Sequence, residues 1–354
     1  MASAAPPEFL GAFRHAAGDG TISFARFMEL ALYHPDTGYY ARRRRRIGRT
    51  AETDFFTATS LGPVFGELVA EACAALLNQR PPRDHTFVEI GAESPAPGNV
   101  EGVESSTEES GGVLALAGLG PAGVAHPFAA VEAVMLNQPL RIPARAVVFS
   151  NELFDAQPCH RLIRHAGRWR ESGVGLRQEA LEEVLLPDLT PEVQAVLARL
   201  PAVAPDGYRI DLPLAAASLA ARIAALPWTG LFVAFDYGKS WRELAEDTPA
   251  GTVRAYFRHR QSNDLLAHPG EQDLTCHVCW DWLGAALTAQ GFTAPVLESQ
   301  EAFFVHHASA ALSRLTADEA GRFSRRKLGV MQLLHPGNLG QKFQVLWARR
   351  EQAT

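Results

Sequence analysis

The chain reads as an α/β protein on three observations. Helix and strand signals alternate along its length. Several short apolar runs, "TFVEI", "AVVFS" and "LFVAF", have the length and content of strands. Each of these runs carries or leads into residues able to bind: Glu89 lies within the first with Gly91 just after it, and the others run into Asn151-Glu152 and Asp236-Tyr237-Gly238. Open α/β sheets bind ligands outside the carboxyl ends of their strands. A length of 354 residues suits one such core with insertions, and 47% apolar with 20% charged residues is an ordinary globular composition.

In order, "ISFARFMELALYH" places apolar residues at helical spacing, with Ser23 as N-cap and Pro35 as a stop. "SLGPVFGELVAEACAALLNQ" repeats the pattern with Pro63 in its first turn, and Pro81-Pro82 closes it. "TFVEI" is a buried strand with Gly91 as its sharp exit. From Gly91 to Pro127 there are eight glycines and four prolines, a content that predicts an irregular loop. "FAAVEAVML" and "RAVVFS" are strand-like, and "RLIRHAGRWRES" predicts a hairpin turning at Gly167. "TPEVQAVLARL" predicts a helix with Thr190 as N-cap and Pro191 at its first position. "LAAASLAARIAAL" predicts another. The strand "LFVAFDYG" follows, then the strand-like "TVRAYF" and the helix "VCWDWLGAALTAQG" ended by Gly291. "TADE" at Thr316–Glu319 has the form of a capping box, and "FQVLWARR" is the last strand.

A net charge of −6 argues against a general nucleic-acid binder. The five arginines Arg42–Arg46 read as a solvated surface loop or as a docking patch for an acidic partner. Cys73, Cys159, Cys276 and Cys279 are too few for a disulfide framework in a chain this long. Cys276 and Cys279 with His277 do not complete a tetrahedral metal site, so no metal is expected. The N-terminal stretch carries Glu8 and Asp19 and lacks a long apolar core. Neither a signal nor a transit peptide is expected there, no apolar run has bilayer-spanning length, and a cytoplasmic location follows as the expectation.

"NELFDA" carries the most chemistry. Asn151 can offer its side-chain carbonyl to an N–H donor. Glu152 and Asp155 share a face if a helical turn begins here. Paired carboxylates accept a guanidinium bidentately, and their mutual repulsion raises one pKa, making a proton acceptor. The plainer alternative is that Asn151 and Asp155 cap a following helix.

"LALYHPDTGYY", "DFFTATSLGPVFGEL", "FVEIGA", "SNELFDAQP", "FDYG", "GTVRAYFRHRQSNDLLAHPGEQDLT" and "HPGNLGQKFQVL" occur in that order. Together they resemble the MidA-like family of class I S-adenosylmethionine-dependent methyltransferases, from about Ile22 to Arg349. The resemblance implies a Rossmann-like, mostly parallel sheet with an antiparallel last strand. It also implies an N-terminal helical, substrate-side segment (1–85) ahead of the methyltransferase-like domain (86–354), with substrate-side insertions at 160–225 and 239–275. S-adenosylmethionine would be the cofactor, with Glu89, Gly91, Phe154 and Pro158 against it and Asn151, Glu152 and Asp155 as catalytic residues. Asp54, Thr57, Asp236, Tyr237, Gly238, Arg254, Tyr256 and His259 would face the acceptor, and Asp273 falls in the same substrate-side segment. His259 and His277 read as locally satisfied histidines or as bases. The implied acceptor is a protein arginine. Mitochondrial members of the family dimethylate an arginine on a respiratory-complex subunit, so the partner expected by analogy is a protein, with no nucleic acid and no membrane span.

The sequence departs from the family at its glycine turn. Where the pattern E-x-G-x-G-x-G continues, this chain has Glu93 and Pro95, and Pro97 follows. Side chains there fill space the cofactor's methionine end would use, and proline forbids the helix whose N–H groups would hold its carboxylate. Two readings follow: an active methyltransferase with an altered cofactor loop, or a non-catalytic descendant that uses the cleft for a partner.

Overall fold

The computed structural model describes residues 5–18, 20–41, 63–92, 125–318, 321 and 324–351. Arg42–Arg46, Asp54, Thr57 and most of the Gly91–Pro127 stretch, with Glu93, Pro95 and Pro97, lie outside the described residues.

The first elements are α1 (Pro7–Ala17), β1 (Thr21–Ser23), α2 (Phe24–Tyr33), α3 (Pro63–Leu76), β2 (Thr86–Ala92), β3 (Ala130–Met135) and β4 (Arg145–Asn151). Next come β5 (His160–His165), β6 (Arg168–Arg177), β7 (Ala180–Leu185), α4 (Pro191–Val196), β8 (Arg209–Leu212), α5 (Leu214–Ala225) and β9 (Thr229–Asp236). They continue with β10 (Gly238–Lys239), α6 (Trp241–Glu246), β11 (Arg254–Phe257), β12 (Arg260–Ser262), β13 (Asp273–Thr275) and β14 (Val278–Cys279). The chain ends with α7 (Trp280–Ala289), β15 (Val296–Ser299), α8 (Gln300–His307), α9 (Ser309–Asp318), α10 (Arg325–Leu334) and β16 (Gln344–Arg350). None of the described helices is long and apolar enough to cross a membrane.

Two compact units interleave along the chain. The first contains residues 1–55, 154–219 and 238–283, and the second 56–153, 220–237 and 284–354.

The second unit holds a six-stranded mixed sheet in the order β15-β16-β9-β4-β2-β3. Strands β3, β2, β4 and β9 are mutually parallel, and β16 enters antiparallel between β9 and β15. The antiparallel last strand is therefore present as expected. Strands β2, β4 and β9 are nearly continuous apolar runs because both faces are covered, which is why they were legible. Helix α3 buries Val64, Phe65, Leu68, Val69 and Ala72 in the same core as Phe149, Phe235, Phe303 and Phe304. Phe65 meets Phe235 and Phe304 edge-on at 5.6 and 6.0 Å. Offset and edge-to-face rings add to area burial, so this cluster anchors the helix to the sheet.

The first unit is largely antiparallel: β1-β6-β5-β8 with β7 on β6, and a smaller β12-β11-β13 sheet. Its core gathers Phe9, Phe13, Phe27, Tyr39 and Leu274. Ser23 caps α2 as predicted, its hydroxyl accepting from Arg26 N, and β5 and β6 form the hairpin across Gly167. Buried Asp211 on β8 accepts from the backbone N–H groups of Thr252 and Val253 at 2.5 and 2.9 Å, fixing the approach to β11. Arg161 lies 3.0 Å from the same carboxylate, with both side chains buried.

Four local expectations are corrected. Gly91 does not end β2; the strand runs on to Ala92, and Gly91 (φ +86°) sits at a bulge where pairing with β3 shifts by one residue. No helix follows Asn151, so neither Asn151 nor Asp155 caps one and Glu152 and Asp155 share no helical face; residues 152–157 form bends and a turn with Gln157 N donating to Phe154 O. "TADE" starts no helix: Thr316 lies inside α9 and its hydroxyl donates to Leu312 O. Thr190 precedes α4 without a side-chain cap, because its hydroxyl and N–H both turn to the buried carboxylate of Glu171.

Candidate functional site

In the second unit, neighbouring strands β2, β4 and β9 point their carboxyl ends the same way. Glu89, Gly91, Asn151, Glu152, Asp236 and Tyr237 are thereby brought to one rim of one sheet. Parallel register sets this: Glu89 lies opposite Phe149, and Asn151 opposite Phe235.

Among the described residues, three polar atoms on β2 and β4 are buried with no hydrogen-bond partner: Glu89 Oε2, Ser150 Oγ and Asn151 Oδ1. Buried polar groups are paired in the great majority of cases, so three orphans on adjacent strands need an explanation. Glu89 is 7% exposed, and burial pushes its carboxyl up to about 8. An acid held neutral there gains most from a cation or a hydrogen-bond donor arriving beside it. Asn151 donates Nδ2–H to Glu152 Oε1 at 3.2 Å, which leaves its Oδ1 as the acceptor.

Glu152 adopts φ +53° while its N–H donates to Phe235 O at 3.0 Å. A left-handed conformation in a non-glycine residue costs about 1–2 kcal/mol, and such strain concentrates at ligand sites. Gly91 has no such penalty. A Cβ built there would lie 2.9 Å from Leu153 Cδ1, so the bulge and the β4 exit pack closely. Asp236 is fully buried and accepts from Tyr237 N at 2.8 Å, and the Tyr237 ring lies 4.1 Å from Phe343.

The first unit carries the other sequence-derived residues. Phe154 and Asp155 are buried in the turn after Glu152, and Asp155 O accepts from Cys276 N at 2.8 Å. Pro158 follows in the same stretch, half-buried. Gly238 opens β10, where an added Cβ would meet the Trp280 ring. Arg254 and Tyr256 lie on β11, and His259 (φ +62°) in the tight turn to β12. Arg254 Nη1 donates to Gly251 O and Val253 O, and Tyr256 OH donates to Gln261 Oε1.

The sequence reading missed Ser150, Tyr33 and Tyr40. Tyr40 OH donates to Asp273 Oδ1 at 3.0 Å and its ring stacks on Tyr33, 5.5 Å away; Tyr33 OH donates to Ala156 O. Burial, then the Asp273 carboxylate, pushes both phenols above their ordinary range. "DTGYY" contained the signal only as a motif of the resemblance. His277 is also held neutral, its pKa pushed down to about 4 by burial and then by Lys239 and Arg254.

Residues 131–297 match a family model described as "Putative S-adenosyl-L-methionine-dependent methyltransferase". The chain resembles a COG1565 superfamily member from Burkholderia thailandensis solved bound to S-adenosyl-homocysteine. The TM-score is 0.77 and the identity 25%, over 99% of this chain and 95% of that one. A native structure of a COG1565 superfamily protein from the same organism gives 0.73 and 24%, over 99% and 95%. No curated protein matches. The orphaned acceptors fit such a cofactor, whose ammonium and ribose hydroxyls are donors and whose sulfonium is a cation. Over nearly its whole length the chain is thus similar to a COG1565 superfamily protein solved with S-adenosyl-homocysteine, and over residues 131–297 it is similar to a family of S-adenosylmethionine-dependent methyltransferases.

Proposed function

We propose that the protein transfers a methyl group from S-adenosylmethionine to nitrogen, and that the acceptor is an arginine side chain of a protein. The observation that carries this is the rim of the second unit, where Glu89 Oε2, Ser150 Oγ and Asn151 Oδ1 are buried without partners among the described residues, beside the strained Glu152. The sheet order and the antiparallel β16 support a Rossmann-like class I arrangement.

Bound S-adenosylmethionine would supply an electrophilic methyl whose sulfonium leaves as a neutral thioether. Glu89 and Gly91 would floor its pocket, with Glu89 able to offer a carboxylate to the cofactor's positive end. Asn151 Oδ1 would accept an N–H of the incoming nitrogen and so orient it for transfer. Glu152 offsets the positive charge that a guanidinium brings and takes up, directly or through water, the proton lost after transfer. A carboxylate suits a guanidinium because it accepts two parallel N–H bonds. For the first unit the family resemblance implies Asp155 as a further catalytic residue, Phe154 and Pro158 as cofactor-side residues and Gly238, Arg254, Tyr256 and His259 as acceptor-side residues, and the partner is a protein, by analogy a respiratory-complex subunit.

Titration calorimetry with S-adenosylmethionine alone tests the cofactor half of this reading; absence of heat at near-millimolar cofactor would sink it. Transfer of labelled methyl to arginine-containing protein, read by amino-acid analysis after hydrolysis, tests the acceptor half. Label should appear in methylarginine, and label only in methyl-lysine or carboxyl esters would overturn the arginine assignment. Asn151→Ala should abolish transfer while leaving the melting temperature unchanged, and undiminished turnover would remove Asn151 from that role.

A further inference from the structure

Away from this rim, on the edge of the same sheet, Glu298 of β15 faces two consecutive histidines at the end of α8. His306 Nδ1 lies 2.6 Å from Glu298 Oε1 and His307 Nε2 lies 2.9 Å from Oε2. One potential ligand atom from each of the three residues falls within 4.8 Å of the others. Trp347 on the neighbouring β16 donates Nε1–H to the same Oε2 at 2.8 Å, which helps to fix the carboxylate. We propose that Glu298, His306 and His307 form a binding site for a divalent transition-metal ion of the zinc class.

Ligand chemistry selects the ion. Two imidazoles and one carboxylate suit zinc, cobalt, nickel or copper, whereas calcium and magnesium prefer all-oxygen sites. Ligands at about 2.0–2.1 Å on a tetrahedral zinc stand roughly 3.3 Å apart. The two N···O distances therefore need to open by well under an ångström, and His306 has the freedom to move because its side chain is 59% exposed. That exposure also gives the ion an entry path and leaves a fourth position for water. His307 and Glu298, 21% and 12% exposed, provide the fixed side of the site.

The surroundings favour a cation. Both histidines lie in the last turn of α8, where helix carbonyls concentrate negative charge. The Trp347 bond to Glu298 is the kind of outer contact that orients a metal-bound carboxylate. On binding, each neutral imidazole presents its facing nitrogen as a lone pair and carries its proton on the other, so no oxidant or reductant is needed. The ion would tie the edge strand β15 to α8.

The full-length protein, freed of metal by chelation, would be titrated with Co2+ alone and then with Zn2+. One equivalent of Co2+ should give a visible ligand-field band without near-ultraviolet thiolate charge transfer, which excludes Cys276 and Cys279 as ligands. Zn2+ should displace it and raise the melting temperature. His306→Ala, at an exposed position, should leave the metal-free melting temperature unchanged and weaken Co2+ binding by at least about tenfold. Glu298→Gln should weaken it as well. Equal affinity in the wild type and the His306→Ala/His307→Ala double variant, or no binding at near-millimolar Zn2+, would overturn the site.

Discussion

Glu89→Gln is the substitution that reads the candidate cofactor pocket most directly. Glu89 is 7% exposed, its Oε2 has no partner among the described residues, and its carboxyl is held protonated up to about pH 8 by burial. In the unfolded chain the same group ionises near its ordinary 4.5. Because the folded value is the higher one, the contribution to stability is full below pH 4.5 and is lost progressively as pH rises to 8. Each pH unit in that window removes about 1.4 kcal/mol, so the whole span amounts to about 5 kcal/mol, an order of magnitude. Glutamine has the same shape and cannot ionise. The assay is urea unfolding of both proteins, without cofactor, at intervals from pH 5 to 8.5. The wild type should lose stability relative to Glu89→Gln as pH rises, and the two curves should run parallel once S-adenosylmethionine supplies a compensating cation. Parallel curves in the absence of cofactor would refute the claim that Glu89 is buried and unpaired.

Gly91→Ala places a side chain at φ +86° with its Cβ 2.9 Å from Leu153 Cδ1. The expected cost is about 1–2 kcal/mol in thermal unfolding, with weaker S-adenosylmethionine binding by calorimetry as the β4 exit shifts. Asp211→Ala removes the acceptor of Thr252 and Val253 N–H and leaves Arg161 buried without its ion-pair partner. A loss of about 3–5 kcal/mol is expected, measured by denaturant unfolding, and a loss within experimental scatter would contradict the pairing described.

Much of the fold was legible for one physical reason: strands covered on both faces are continuous apolar runs, and β2, β4, β9 and β16 are such runs. Ser23 was legible because capping is local chemistry between residues three apart. Features that depended on non-local partners were not. Thr190 looked like a cap until the buried Glu171 claimed its hydroxyl and N–H. Thr316 fitted a capping box by spacing yet sits within α9. Gly91 read as a strand exit because sequence alone cannot show that β3 pairs past it with a one-residue shift.

The candidate site divides the same way. Sequence by itself determined which chemistry is available: the acid within "FVEIG", and the amide and acids of "SNELFDAQP" and the aspartate of "FDYG" just where apolar runs stop. Only the tertiary structure decided that three of those ends lie on adjacent parallel strands, because strand order is set by packing among segments far apart in the chain. Tertiary structure also decided which acceptors go unpaired, and that Glu298 meets His306 and His307, since desolvation and cross-element contact are properties of the folded surroundings rather than of any residue type.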